Sequence, residues 1–487
     1  MKILVKYHRL LQQYVLNLLL LLAFWGGMIR KSFNCDTLAH MLSEDADIMI
    51  RIKGGRYIVA LGDFLLLKLG LRTTTNLSVT MLITFLLLAL TMIVIQDIFA
   101  SWMPDTWWDK AGFFCGLNLI FLNVLFAEPL MFSEYSVYFA IAYLTASLGV
   151  RCYAGRKYLS MLLMYAIAVC TYQNAVVFAA IIMAFYIFLN ENMRFTRRAV
   201  VREIVGIIVC MSMGVLNYLS LWALDRLGIV SKIKEAASGN WGHRLVGVVR
   251  HYISLNRNCA GVMLDLWLPL LFAVAIWVLI VYSCIKKQKL SELLFLFLVW
   301  LGCNMLLYVI PVVQGVNSFP PRLIFCFFGI QGFFLASACV VCADSVRNLL
   351  NWGSCLYLAI HLLFSNFVVT NHFISNTLDK VYANMVYEEI VEYEEETGNN
   401  VTKLAVMRDI DSPFYYHEVS FTTDQINERA LPTVPVALIY AVSGRKFEKL
   451  EVPESVSRKC FDNKNWDYID LSEQLIIEGD TAYWCIF

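Results

Sequence analysis

Charge is what this chain has least of: Asp, Glu, Lys and Arg make up 16% of its 487 residues, against the ~25% of an ordinary soluble domain. The 39 basic and 38 acidic residues leave a formal net charge of +1. The basic ones are spread over loops and build no face for a nucleic acid. There is no glycine-rich nucleotide fingerprint, no Cys/His grouping at zinc-ligand spacing, no internal repeat and no low-complexity linker. What replaces charge is apolar surface: 59% of residues are hydrophobic, 14% aromatic, and the mean hydropathy is +0.63. That is far more than a soluble protein of this length needs, and it defines a polytopic membrane protein whose partner is the lipid bilayer.

Lys2, Lys6 and Arg9 precede an apolar run from Tyr14 to Ile29, with no small-x-small cleavage site behind it, so this is read as a retained first span. Further runs lie near 77–95, 111–126, 136–150, 158–171, 175–188, 204–224, 264–282, 293–310, 323–342 and 349–369. At ~20 residues per crossing they predict about eleven spans. The fifth and sixth are short, either tilted or folded as one re-entrant hairpin. Arg and Lys concentrate in the short loops on the N-terminal side, such as Arg151, Arg156, Arg197, Arg198, Lys286 and Lys287, which predicts a cytoplasmic N-terminus. The two long loops, 30–76 and 225–263, then lie outside. The expected fold is all-α and polytopic over 1–370, followed by a small extracytoplasmic soluble α/β domain over 371–487. In that tail KLAVM, VPVALIYAV, WDYIDL and TAYWCIF read as strands. Most of the fourteen Cys are small apolar packers; Cys460 and Cys485 are the pair an oxidising compartment would allow to bond.

Chemistry gathers in the first long loop, NCDTLAHMLSEDADIMIRIKGGRY. Asp36 stands a few residues beyond the first span, where partial desolvation raises a carboxylate towards the range of a general base. Asp45 and Asp47 form a D-x-D that offers oxygen ligands to a divalent cation, or only a wet turn. Gly54-Gly55-Arg56-Tyr57 permits close backbone approach and presents Arg56 either as a fork for a phosphate or as a snorkelling side chain. Elsewhere, AEPLMFSEYS carries Glu128 and Glu134, and Thr171-Tyr172-Gln173-Asn174 closes a short span, with Tyr172 as interfacial anchor and Gln173 as ligand. Pro320-Pro321-Arg322 places Arg322 at the outer interface. Trp241, with Gly242 and His243, is either a platform for a pyranose or part of an interfacial helix. The second long loop adds Lys232, Lys234, Arg244 and Arg250 as further cations.

One span, an N-x-D just outside it, a G-R-aromatic some twenty residues on, the Tyr172-Gln173 pair and the acidic loop after the third span together resemble the Gtr-type glucosyltransferases of bacterial serotype conversion. These belong to the membrane-embedded class C glycosyltransferases. The resemblance covers roughly residues 1–369. It departs from the commoner paired-acid form of the first motif, because Cys35 stands beside Asp36 and leaves one acid there. It implies a bacterial plasma-membrane enzyme that moves a hexose, usually glucose, from a polyprenyl-phosphate carrier to a hydroxyl of an envelope glycan at the outer face. No cofactor beyond a possible divalent cation is implied. On that footing Asp36 is the base, Arg56 and Arg322 hold the donor phosphate, and Glu128, Glu134, Gln173 and Trp241 contact substrate. A flippase of a lipid-linked sugar is the alternative, marked by polar groups or broken helices at mid-membrane depth.

Overall fold

Within a bilayer every backbone group must be satisfied inside its own segment, so apolar runs of this length fold as helices. The computed structural model describes residues 2–42, 46–104, 106, 108–230, 241–314, 319–342, 344–408, 430–462, 464, 466 and 468–486. It is mostly helical, and among the described residues eight helices are long and apolar enough to cross a membrane. In chain order they begin with α1 (Lys2–Trp25), followed by three short helices of the first long loop: α2 (Cys35–Leu42), α3 (Ala46–Lys53) and α4 (Tyr57–Lys68). Next come α5 (Leu77–Ile98), α6 (Asp109–Asn118), α7 (Ala127–Met131), α8 (Ser136–Ala154), α9 (Tyr158–Thr171) and α10 (Ala175–Asn190). The bundle is completed by α11 (Arg197–Arg226), α12 (Trp241–Asn258), α13 (Leu268–Lys286), α14 (Leu290–Gln314), α15 (Pro321–Ile324), α16 (Cys326–Val341) and α17 (Asp344–Thr397).

α10 and α16 are buried along almost their whole length and form the centre, whereas α9 turns Leu159, Leu162 and Leu163 outwards as a lipid-facing edge. The expected third span, 111–126, is not one helix. α6 stops at Asn118, and the chain continues as buried irregular backbone into α7. Asn123 makes the break tolerable. Its amide donates to the carbonyls of Leu119 and Ile120 at 2.8 and 3.2 Å, and its Oδ1 accepts from the Leu125 N–H at 3.1 Å. Irregular backbone at membrane depth survives only where protein encloses it in this way. α6 also runs unusually close to α16: a Cβ added at Gly332 would lie 2.1 Å from the Gly116 carbonyl oxygen, so the crossing requires glycine. Asn17 of α1, Gln96 of α5 and Asn118 of α6 interlock nearby, with Gln96 Nε2 donating to both asparagine oxygens at 3.0 Å.

The boundary expected at residue 370 falls inside one continuous helix. α17 has 54 residues, roughly 80 Å at 1.5 Å per residue, and it rises from the bundle into the tail. There it packs on α18 (Ala430–Thr433) and α19 (Pro435–Ser443). The tail sheet has the order β2-β1-β4-β3, from β1 (Lys403–Arg408), β2 (Glu448–Leu450), β3 (Leu475–Glu478) and β4 (Thr481–Ile486). β1 pairs parallel with β2 and β4, and β3 pairs antiparallel with β4. KLAVM and TAYWCIF are strands as expected. VPVALIYAV is not: it folds as α19, with Pro435 in its first turn and Gly444 at φ 75° closing it. A short apolar run fits a buried helix as well as a strand, and here the proline start and glycine stop decide. WDYIDL forms no strand among its described residues. Cys460 and Cys485 are not joined in a disulfide.

Candidate functional site

The first motif folds as the start of α2. Asn34 caps that helix, its Oδ1 accepting the Thr37 N–H at 2.6 Å while its amide donates to the Met131 carbonyl at 2.8 Å. One residue therefore fixes both the helix start and its seat against the 127–135 loop. Asp36 lies in the first turn, where the positive end of the helix dipole favours a carboxylate. Its side chain is exposed, so the desolvation expected for Asp36 is absent. The desolvated acid is Glu134, fully buried, with Oε2 accepting from the Thr37 hydroxyl and Oε1 meeting no partner among the described residues. Burial pushes the Glu134 carboxyl up to about 7, opposed by the Thr37 and own-backbone hydrogen bonds and by His40, and helped by the charge of Asp36. Asp36 and Glu134, drawn from two segments, thus lie within electrostatic range of each other.

Glu134 supplies a stability signature. Its carboxyl holds a proton in the folded protein that the unfolded chain gives up near pH 4.5. The group's contribution is therefore complete below about pH 4.5 and is lost as pH rises through about 7, on the order of 3 kcal/mol across that window. Melting of the detergent-solubilised protein should fall from pH 5 to pH 8. Glu134→Gln should flatten that slope, and an unchanged slope would contradict the assignment.

Arg56 is set by the Gly54-Gly55 turn. Gly55 has φ +70°, and an added Cβ would lie 2.6 Å from Asn217 Oδ1 and 2.9 Å from Gln173 Nε2. These two side chains clamp the turn: Gln173 Nε2 donates to the Gly54 carbonyl, and Asn217 Nδ2 donates to the Gly55 carbonyl at 3.0 Å. Gln173 is thereby committed to the backbone that carries Arg56 rather than turned to a ligand. The Arg56 guanidinium sits 6.0 Å from the Tyr172 ring centre. Burial pulls its pKa down; Tyr172 and Asp36 oppose that pull, and the guanidinium charges of Arg51 and Arg322 add to it. Gly55→Ala should destabilise the fold by ~1–3 kcal/mol through the forced backbone conformation, and a thermal melt that does not move would refute the tightness of this turn.

Arg322 reaches the same place from the bundle. Its backbone N–H donates to Glu128 Oε2 at 2.6 Å and its guanidinium pairs with Glu128 Oε1, Glu128 being fully buried and the arginine side chain 29% exposed. Glu128 therefore holds Arg322 in position and is no surface for a sugar. The Arg322 carbonyl accepts from the Tyr172 hydroxyl at 3.1 Å and from Asn174 Nδ2 at 3.2 Å, which ties the 172–174 turn to the same corner.

A third guanidinium, unassigned from sequence, completes the group. Arg51 lies 4.0 Å over the Tyr135 ring, 3.3 Å from His40 Nε2 and 3.6 Å from the Asp63 carboxylate, which also accepts from the Tyr138 hydroxyl at 2.8 Å. An open cleft beside these residues is lined by His40, Arg51, Asp63, Arg72, Thr74 and Tyr135 among others. Asp36, Arg51, Arg56, Arg322, Glu128, Glu134 and Gln173 thus meet at one end of the bundle, from four stretches of chain. Trp241 stands apart. It is 59% exposed at the first residue of α12, a helix packed on α13 and α14, with the Arg244 guanidinium 5.2 Å from its ring centre. Lys232, Lys234, Asp45 and the side chain of Asp47 lie outside the described residues. Among the described residues no three His, Cys, Asp or Glu side chains gather as a metal site.

Compared with protein-family models, with curated proteins and with solved structures, the chain finds no match. The class its fold defines is that of a polytopic helical membrane protein with a small mixed sheet in its tail.

Proposed function

We propose that the protein transfers a hexose, glucose by its resemblance to the Gtr-type enzymes, from a polyprenyl-phosphate carrier to a hydroxyl of a cell-envelope glycan at the outer membrane face. The observation that carries this reading is an exposed carboxylate, Asp36, within electrostatic range of the Arg56 guanidinium, which in turn feels the charges of Arg51 and Arg322 where the spans end. An anionic lipid headgroup needs cations at the interface, and a hydroxyl nucleophile needs a base beside them.

In the reaction Asp36 takes the acceptor's O–H proton as that oxygen bonds to the anomeric carbon from the face opposite the phosphate. The bond from that carbon to the phosphate oxygen breaks, and its electron pair leaves with polyprenyl phosphate. The sugar's configuration inverts. The leaving group is a phosphate monoester and needs no general acid, and its growing charge is met by Arg56 and Arg322. Glu134 stands behind Asp36, within electrostatic range of it. It fills, from a distant segment, the place of the second acid that Cys35 leaves vacant.

With labelled polyprenyl-phosphate-glucose as donor, Arg56→Gln and Arg322→Gln should each raise the donor KM by ~10-fold or more, the equivalent of one charge-assisted hydrogen bond of about 1.5–3 kcal/mol. Unchanged donor KM in both variants would remove the phosphate role. The flippase reading draws on one observation, the broken segment after α6 beside the Asn17, Gln96 and Asn118 cluster. That segment is packed shut on all sides, which favours chemistry at the bundle end over passage through it.

A further inference from the structure

α2 has only eight residues. In water an isolated helix shorter than ~12–15 residues is marginal, so tertiary contacts must fix where its first turn points. Two flanks do so. On one, Asn34 and Thr37 bond to the 127–135 loop of the membrane bundle. On the other, Cys35 and Leu38 are buried in the same apolar core as Tyr382, Val386, Val436 and Ile439 of the tail, with Leu42 packed against it. Just before α2, Asn376 of α17 bonds reciprocally with residue 33: the Phe33 N–H donates to Asn376 Oδ1 at 3.0 Å, and Asn376 Nδ2 donates to the Phe33 carbonyl. Lys380 adds a bond to the Lys31 carbonyl at 3.0 Å and stands over the Phe33 ring at 4.5 Å.

We infer that the C-terminal domain is a working part of the site: packed through α19 and anchored through Asn376, it forms one jaw of a clamp whose other jaw is the 127–135 loop, and the clamp sets the position of Asp36. Leu38 and Asn376 are positioning residues that act through α2. Arg56 and Arg322 are carried by other segments, so loosening this jaw moves the base and leaves the phosphate cations where they are. The inference rests on the proposed transfer for its catalytic consequence, while its structural content stands by itself.

The test uses the full chain with Leu38→Ala and, separately, Asn376→Ala, the second leaving the apolar core of the tail intact. Hydrogen exchange at residues 35–42 should quicken at least 10-fold in each variant, with residues 54–57 and 128–135 unchanged. Transfer from polyprenyl-phosphate-glucose should lose at least 10-fold in kcat while the donor KM stays within about 2-fold, and Leu38→Met should recover most of the loss. Unchanged exchange in α2 in both variants would overturn the clamp. Faster exchange with full kcat would overturn its role in setting Asp36. Should the unaltered protein transfer no sugar at all, the proposed function fails, and the exchange measurement still decides the clamp.

Discussion

Asp36→Asn is expected to lower sugar transfer by ~10³-fold or more while leaving donor affinity and melting temperature close to those of the unaltered protein. The substitution keeps the size and shape of the side chain and removes its ability to take a proton, which for a general base is worth ~10²–10⁴ in rate. Asp36 is exposed and makes no side-chain hydrogen bond among the described residues, so the fold loses little. Arg56 and Arg322 remain to hold the donor. Transfer by Asp36→Asn within a few-fold of normal would remove Asp36 from the reaction, and a loss accompanied by collapse of the melt would assign it to the fold.

The second large effect concerns stability and donor binding together. Glu128→Ala should destabilise the bundle by about 1–3 kcal/mol, because it removes the buried acceptor of the Arg322 backbone N–H and the carboxylate half of an ion pair whose guanidinium is 29% exposed. Glu128→Ala should also weaken donor binding as much as Arg322→Gln does, since the arginine is no longer aimed. In a double-mutant cycle the two changes should be far from additive. Additive losses would mean that the pair seen here does not govern either property.

The membrane class and most of the spans were legible in the sequence because hydropathy over a window of twenty residues is a strong signal. The break after Asn118 was not, since the irregular stretch Leu119–Phe126 is as apolar as a helix and only Asn123 marks the place where a side chain caps the backbone. Of the candidate residues, Asp36, Arg56 and Arg322 were visible through their place beside spans. Glu128, Glu134 and Gln173 were found too, with different duties: the first holds Arg322, the second is the buried acid, and the third clamps the glycine turn. Arg51 carried no signal of its own, because its partners His40, Asp63 and Tyr135 come together only in the fold. The dependence of α2 on the tail was out of reach for the same reason, as it joins Leu38 to residues some four hundred positions away.

The most direct test is made with the purified protein in liposomes, given polyprenyl-phosphate-glucose labelled in the sugar together with envelope glycan from the source cells. Label should pass to the glycan with inversion at the anomeric carbon and release of polyprenyl phosphate. Label that instead appears in the opposite leaflet on an unaltered carrier would contradict the transfer and make the protein a flippase.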